Sequence, residues 1–572
     1  MKRSIQHALL FLTGAAVLLL ASCSKAPEQG KHIPKNAALV FGFKSKQIQD
    51  KLSKDGLTID KVFETLQQND TSNNYAKALA DAKNSGIDLQ GDLFFAMIPG
   101  ESAGSMYMTV IADVADAAKL EAFIKEKSKK EVKAGKDFKF VEDDKNVVGF
   151  TGKTMIAVAS IDQNRSYFDA EDTSKPATGT ALLEKMFALK TDESVASVAS
   201  FKDISKEKGD MLFWMSSEAL YNINGANASG MGALMASNMK KLTEGAFTTA
   251  TANFETGKID VDMYSYASKE MMAIIKKYPM EKINLENIEK YPSNNIFGYA
   301  AVNCDLRIVG ELIKLIGMDG LVNMGLAEAR FTLDDLLTAF KGEITMVGSD
   351  FSTVAAPTEW DSTRTKPQLK WIFSLKVGDK AAFEKVMASP MLAQSLTKQG
   401  DEYVPNMPLG DELSVSINSK RVLAGSDAEL IKAYDAGSGK AKLEGDALSN
   451  AKGSVGAFYL DVEKIMAAIP AKEMDVPDSI SNDIKTLVKS ISAKSDEISG
   501  DKSHSSGVVL FKDQSKNALT QLFNFTNKVY NWTNAKRKAD AAQWGDYNAE
   551  EAQAATDSMA ADAAIAAPAT EE

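Results

Sequence analysis

Apolar and polar positions along the chain follow two periods, and each predicts an element. Ala38–Phe43 (ALVFGF) is rich in β-formers and reads as a strand, with a short helix starting over Ser45–Leu52. Ile59–Ala82 reads as two helical stretches broken at the polar loop Asn69–Asn74. Asp92–Ile98 and Met106–Ala112 alternate as strands, and Ala115–Lys127 places Leu120, Phe123 and Ile124 on one helical side. Lys139–Glu142, Asn146–Thr151 and Thr154–Ser160 predict strands, the last two joined by a turn at Gly152-Lys153. A helix over Thr180–Ala188 and a strand over Met211–Met215 follow. Next comes a Gly/Met/Asn segment, Asn222–Met239. A long hairpin then runs Ala246–Phe254, turns at Glu255–Lys258 and returns over Ile259–Tyr266. Lys269–Lys277 predicts a closing helix.

At Tyr291-Pro292 the order restarts. IPKNAALVFGFKSKQI (Ile33–Ile48) aligns with YPSNNIFGYAAVNCDLRI (Tyr291–Ile308). The strand-plus-helix Ser105–Glu126 aligns with Leu369–Ser389, and the hairpin Asn146–Ser160 with Leu413–Ser426. The closing hairpin and helix from Phe247 align with a unit from Ser505. Gly453–Met466 and Met211–Leu220 echo the first strand and helix again, so each half reads as two smaller related units. Four matches in one order predict a tandem duplication. Hairpins outnumber βαβ crossovers, so the expected class is α+β: two tandem, structurally similar domains on largely antiparallel sheets, with helices packed on one face. The expected boundaries are 33–280 and 290–535.

Upstream, Met1–Cys23 (MKRSIQHALLFLTGAAVLLLASC) has a basic start, an apolar core and small residues before a cysteine, the layout of a secretory leader. Its core is shorter than the ~20 apolar residues of a permanent span. Residues 1–22 are then the signal peptide and 23–32 a polar tether. Beyond Trp532 the composition turns to Ala, Asp, Glu and Gln. Residues 536–572 are expected to be frayed helix or disorder, because they offer too little apolar area to offset ordering.

The net charge of −11 becomes −13 once Lys2 and Arg3 leave with the leader, and no basic block exists. That excludes nucleic acid as a partner, since Lys and Arg supply most of such affinity. An anionic lipid surface would repel this body, so a lipid rather than the protein surface must hold it at a membrane. Cysteines stand only at 23 and 304, so with Cys23 lipidated no intrachain disulfide is available. Cys304, in IFGYAAVNC, reads as a structural thiol. The histidines His7, His32 and His504 are too few and too scattered to point to a zinc site or a Ser-His-Asp triad.

Other candidate chemistry is thin. Gly437–Lys440 (GSGK) has Tyr434 where a phosphate loop needs glycine and Ala441 where it needs a hydroxyl, so it reads as a helix stop. Glu142-Asp143-Asp144 and Asp334-Asp335 are carboxylate clusters that read as a turn and a helix first turn. Trp214 and Trp371 lie in strand patterns and are expected in the core, whereas Trp360 lies in a charged loop. Met231, Met235 and Met239 share one helical face, which suits core or an adaptable groove. No catalytic, cofactor or metal residues emerge.

Leu20-Ala21-Ser22-Cys23 resembles the lipobox of bacterial lipoproteins. Together with the tether and the start IPKNAALVFGF, it is similar to a family of Bacteroidota lipoproteins known as a domain of unknown function. The resemblance implies acylation at Cys23, removal of the leader, and a place in the cell envelope. Ser24 lacks the aspartate that retains many lipoproteins in the inner membrane, which favours the outer membrane. The expected role is non-catalytic binding or structural, with an envelope protein or a glycan as partner. The alternative is an envelope hydrolase using carboxylates in an inter-domain cleft.

Overall fold

The computed structural model describes residues 27–69, 80–100, 105–143, 146–162, 179–225, 231–358, 360, 364–410, 412–439 and 441–544. Cys23, Asp144, Lys440 and the chain beyond Trp544 lie outside the described residues.

Among the described residues, twenty strands join in one antiparallel sheet. The first half supplies β1 Leu39–Phe43, β2 Leu93–Pro99, β3 Ser105–Asp113, β4 Lys133–Ala134 and β5 Lys139–Glu142. It continues with β6 Asn146–Phe150, β7 Thr154–Asp162, β8 Met211–Ser216, β9 Phe247–Glu255 and β10 Lys258–Tyr266. The second half supplies β11 Ile296–Cys304, β12 Phe340–Ala355, β13 Thr365–Val377, β14 Leu396–Gln399 and β15 Glu402–Pro405. It ends with β16 Ser414–Asn418, β17 Arg421–Gly425, β18 Gly456–Asp461, β19 Val488–Ser495 and β20 Lys502–Phe511.

Strand pairing in the first half gives the spatial order β4-β5-β6-β7-β3-β2-β1-β8-β9-β10. The second half repeats it strand for strand, from β14 to β20. The halves meet where β10 pairs antiparallel with β20, from Lys258↔Leu510 to Tyr266↔Lys502. Within each half, β1 and β8 (or β11 and β18) are central antiparallel neighbours, and each leads into a helix and then a hairpin. The topology is therefore a unit of strand, helix, hairpin and helix used four times, with a four-strand extension after the first and third.

One expected correspondence shifts. The hairpin β9–β10 answers to β19–β20, so the match lies one strand earlier than the alignment at Ser505 placed it. The closing helices Lys269–Lys277 and Ala518–Trp544 keep equivalent places. The second of these runs into the stretch expected to be frayed or disordered from residue 536. Ala, Lys and Arg are good helix formers, and Lys536 there lies near Asp475 (3.6 Å) and over the Trp532 ring.

Directly paired residues share a sheet face, so the register identifies the dry side. Val40, Ala96, Thr109 and Trp214 form one row in the first half, and Tyr299, Val347, Ile372 and Tyr459 form its equivalent. On the first row pack Leu183 and Met186 of the helix Thr180–Ala188, and Phe201 and Ile204 of the helix Ala199–Lys206. On the second pack Leu430, Ile431 and Tyr434 of Ala428–Asp435, and Ala447 and Ala451 of Gly445–Ala451. Trp214 is fully buried and donates its indole N–H to Ser200 at 2.9 Å. Trp371 is only half-buried: Ile372 takes the dry side, so its neighbour points to the opposite face. That opposite face leaves Phe41, Met263, Met346 and Phe458 partly in solvent.

Equivalent caps fix the helices that follow the hairpins. The Asp116 carboxylate accepts from the Ala118 and Lys119 N–H groups, and Asp379 accepts from Ala382.

Candidate functional site

The two dry cores do not meet. Between them the same sheet face runs over β9, β10, β20 and β19, and there the side chains turn polar. Leu212 pairs with Thr251, which pairs with Asp262, then Ser506, then Lys494. In the next row Asn253, Asp260, Val508 and Ser492 stand side by side. Alternation on strands places these residues where a core would need apolar ones. The helices Ala199–Lys206 and Gly445–Ala451 cover the flanking strands instead, and Thr249, Thr251, Ser490 and Ser492 are buried there.

The polar strip forms an open depression of about 480 Å³, floored by β9, β10 and β20 and bordered by Lys208. Its carboxylates are engaged. Glu255 and the Lys51 ammonium lie 2.8 Å apart, as do Asp260 and Lys258. The His504 ring nitrogens lie 3.1 Å from Asp262 Oδ1 and 2.7 Å from Asp496 Oδ2. The His504 ring also lies 4.8 Å from the Tyr264 ring, over which Lys502 Nζ sits at 4.9 Å. Burial, followed by the Glu207, Asp262 and Asp496 charges, pushes the Tyr264 phenol up, so it stays a protonated donor.

Residues singled out by sequence scatter away from this place. His32 lies against the first core, with Nδ1 3.2 Å from the Met186 carbonyl, far along the sheet from His504. Cys304 is half-buried at the end of β11, and burial with the Asp305 charge pushes its thiol up, which disfavours the nucleophilic thiolate. Gly437 ends the helix Ala428–Asp435 with φ +68°, and the Ser438 N–H donates to the Ala433 carbonyl, the geometry of a helix stop. Asp335 sits in a first helix turn, boxed with Thr332 and 2.5 Å from Lys385 Nζ. Glu142 is held by Lys133 and, at 2.6 Å, by Thr180. Trp360 is 95% exposed. Of the methionine stripe, Met239 is half-buried, and the side chains of Met231 and Met235 lie outside the described residues.

Sequence reasoning missed the seam depression. The only signal was the hairpin from Phe247 to Tyr266, whose acids Asp260 and Asp262 fall on one face at a spacing of two. Among the described residues no group of three or more His, Cys, Asp and Glu side chains is placed to hold a metal ion. Among them, too, no helix is long and apolar enough to cross a membrane.

The strand order, repeated over both halves, coincides with a family match that spans residues 33–519. The chain belongs to the family described as a domain of unknown function, DUF4836. The DUF4836 region thus takes in both halves and ends at the start of the last helix. Among solved structures, TP0453 in crystal form III is 7% identical, with 45% of this chain and 88% of that chain covered at a TM-score of 0.24. Crystal form IV of TP0453 is 8% identical, with 45% and 87% covered at the same TM-score of 0.24. Likeness at that level carries no argument about fold or role. No curated protein matches the chain.

Proposed function

We propose that this DUF4836 chain is a lipid-anchored protein of the cell envelope, held in the outer membrane through Cys23, that binds a partner without catalysing a reaction. The leader ending in Leu20-Ala21-Ser22-Cys23 supports the anchor. The observation that carries the binding role is the polar depression over the β10–β20 seam. A glycosidase-type hydrolase needs one carboxyl free to give a proton and another free to attack or activate water. Here Glu255, Asp260 and Asp262 are each tied to a cation or imidazole, in an open trough that does not exclude water.

Cys23→Ser tests the anchor. Membranes are pelleted from cells making either form, and the pellets are probed for the protein and for incorporated radiolabelled palmitate. The wild type is expected in the pellet with label, and the variant in the soluble fraction without it. A variant that stays in the pellet overturns the anchor.

A further inference from the structure

We propose that the seam depression binds a neutral, polyhydroxylated ligand, a segment of an oligosaccharide. The inference rests on the depression being the binding face and adds the chemistry of what it takes. The first ground is charge accounting. Glu255, Asp260 and Asp262 already have partners at 2.8, 2.8 and 3.1 Å. A polycation would have to displace Lys51, Lys258 or His504 from them, and a polyanion would have to approach all three carboxylates.

The second ground is what remains open. Among the described residues the Asn253 amide and the Ser506 hydroxyl make no side-chain hydrogen bond, and the Lys208 ammonium has no ion-pair partner. Asn253 and Ser506 lie on the same face of β9 and β20, on either side of β10. An amide, a hydroxyl and an ammonium offer both donors and acceptors, which hydroxyl groups satisfy in either sense. An apolar ligand would cover the same groups and leave them unpaired, which disfavours it.

The third ground is the aromatic ring of Tyr264, two residues along β10 from Asp262 and on the same face. Tyr264 is already engaged by His504 and Lys502, so recognition here works by hydrogen bonds rather than by stacking a sugar on an open ring. The volume of about 480 Å³ is that of a small-ligand site, and the depression is open to solvent.

The full-length protein in detergent is titrated with maltohexaose, cellohexaose and mannohexaose, and with hexagalacturonate and hexalysine as charged probes. The variant Asn253→Ala with Ser506→Ala is run alongside, with its melting temperature as the check on folding. At least one neutral hexasaccharide is expected to bind with little change between about 0.05 and about 0.5 M salt. The double variant, melting as the wild type does, should lose roughly tenfold or more in affinity. If a charged probe binds, salt weakens it, and the variant abolishes it while neutral sugars do not bind, the face stands and the ligand class falls. If a neutral sugar binds equally to wild type and variant, the face itself is wrong. Binding of no probe overturns the proposal. The fractionation of Cys23→Ser is unaffected by any of these results.

Discussion

His504 Nε2 lies 3.1 Å from Asp262 Oδ1 across the seam, a contact between side chains 242 positions apart. The other ring nitrogen lies 2.7 Å from Asp496 Oδ2, on the hairpin that carries His504 itself. A neutral imidazole can donate to one of these acids and a protonated one to both. His504→Gln and Asp262→Asn, alone and together, form a double-mutant cycle in urea unfolding. With both groups partly in solvent, the coupling should be about 0.5–1 kcal/mol. Additive single effects would remove this pair from the forces joining the halves.

A second ionic contact is buried. The Asp210 side chain, just before β8, is fully buried and accepts from Lys51 Nζ at 2.8 Å, Gln47 at 2.7 Å and the Phe254 N–H at 2.7 Å. Burial alone would lower the Lys51 ammonium, but Asp210 and Glu255 outweigh it and the net direction is up. Asp210→Ala leaves Gln47 and the Phe254 N–H without their acceptor and Lys51 with Glu255 alone, and should destabilise by roughly 3–5 kcal/mol. Glu255→Ala, at the exposed end of the same network, should cost under about 1 kcal/mol. Equal losses in chemical denaturation would contradict this ranking.

Burial raises the Asp92 carboxyl above its ordinary value of 3.8; Lys44 opposes the shift and the Asp113 charge adds to it. As pH rises from that ordinary value to the raised one, the unfolded chain gives up this proton first. The folded state then binds more protons, so stability falls with rising pH across the window. Asp92→Asn should flatten that fall and raise the melting temperature at neutral pH. An unchanged slope in scans between about pH 3.5 and about pH 7 would show that the group does not titrate in this way.

Two tryptophans should respond in opposite ways. Trp360→Ala removes a side chain that is 95% exposed and should alter stability by no more than about 0.5 kcal/mol. Trp214→Ala empties a fully buried site that holds a hydrogen bond to Ser200, and should cost roughly 3–5 kcal/mol. Acrylamide should quench the emission lost in Trp360→Ala and leave that lost in a milder Trp214→Phe protected. Protection of Trp360 would mean that something covers the hairpin tip.

Much of the fold was legible because alternation survives in the strands themselves. Lys269–Lys277 and Thr180–Ala188 are helices over the residues that periodicity named, and Ile259–Tyr266 is nearly all of β10. The short helix Ala199–Lys206 escaped because ASFKDISK holds only Phe201 and Ile204 as large apolar anchors. The long strand β12 escaped because Gly342, Ser349 and Asp350 interrupt its alternation, and the register shifts there. Trp371 misled because a strand pattern names two faces without saying which is dry. The depression was hidden for a different reason: it arises only when β10 finds β20, and nothing local to either strand encodes that partner.

The seam has one more consequence. Two identical polypeptides, each with the ten-strand order and an open margin at its last strand, would close that margin by meeting edge to edge about a two-fold axis. This chain performs the same closure on itself. Joining the twins by a peptide makes their encounter intramolecular, so the union no longer depends on how much protein the cell makes. It also frees the sequences on either side of the axis to diverge, which is how Asp262, at the centre of the β10–β20 ladder, comes to face Ser506 rather than its own likeness.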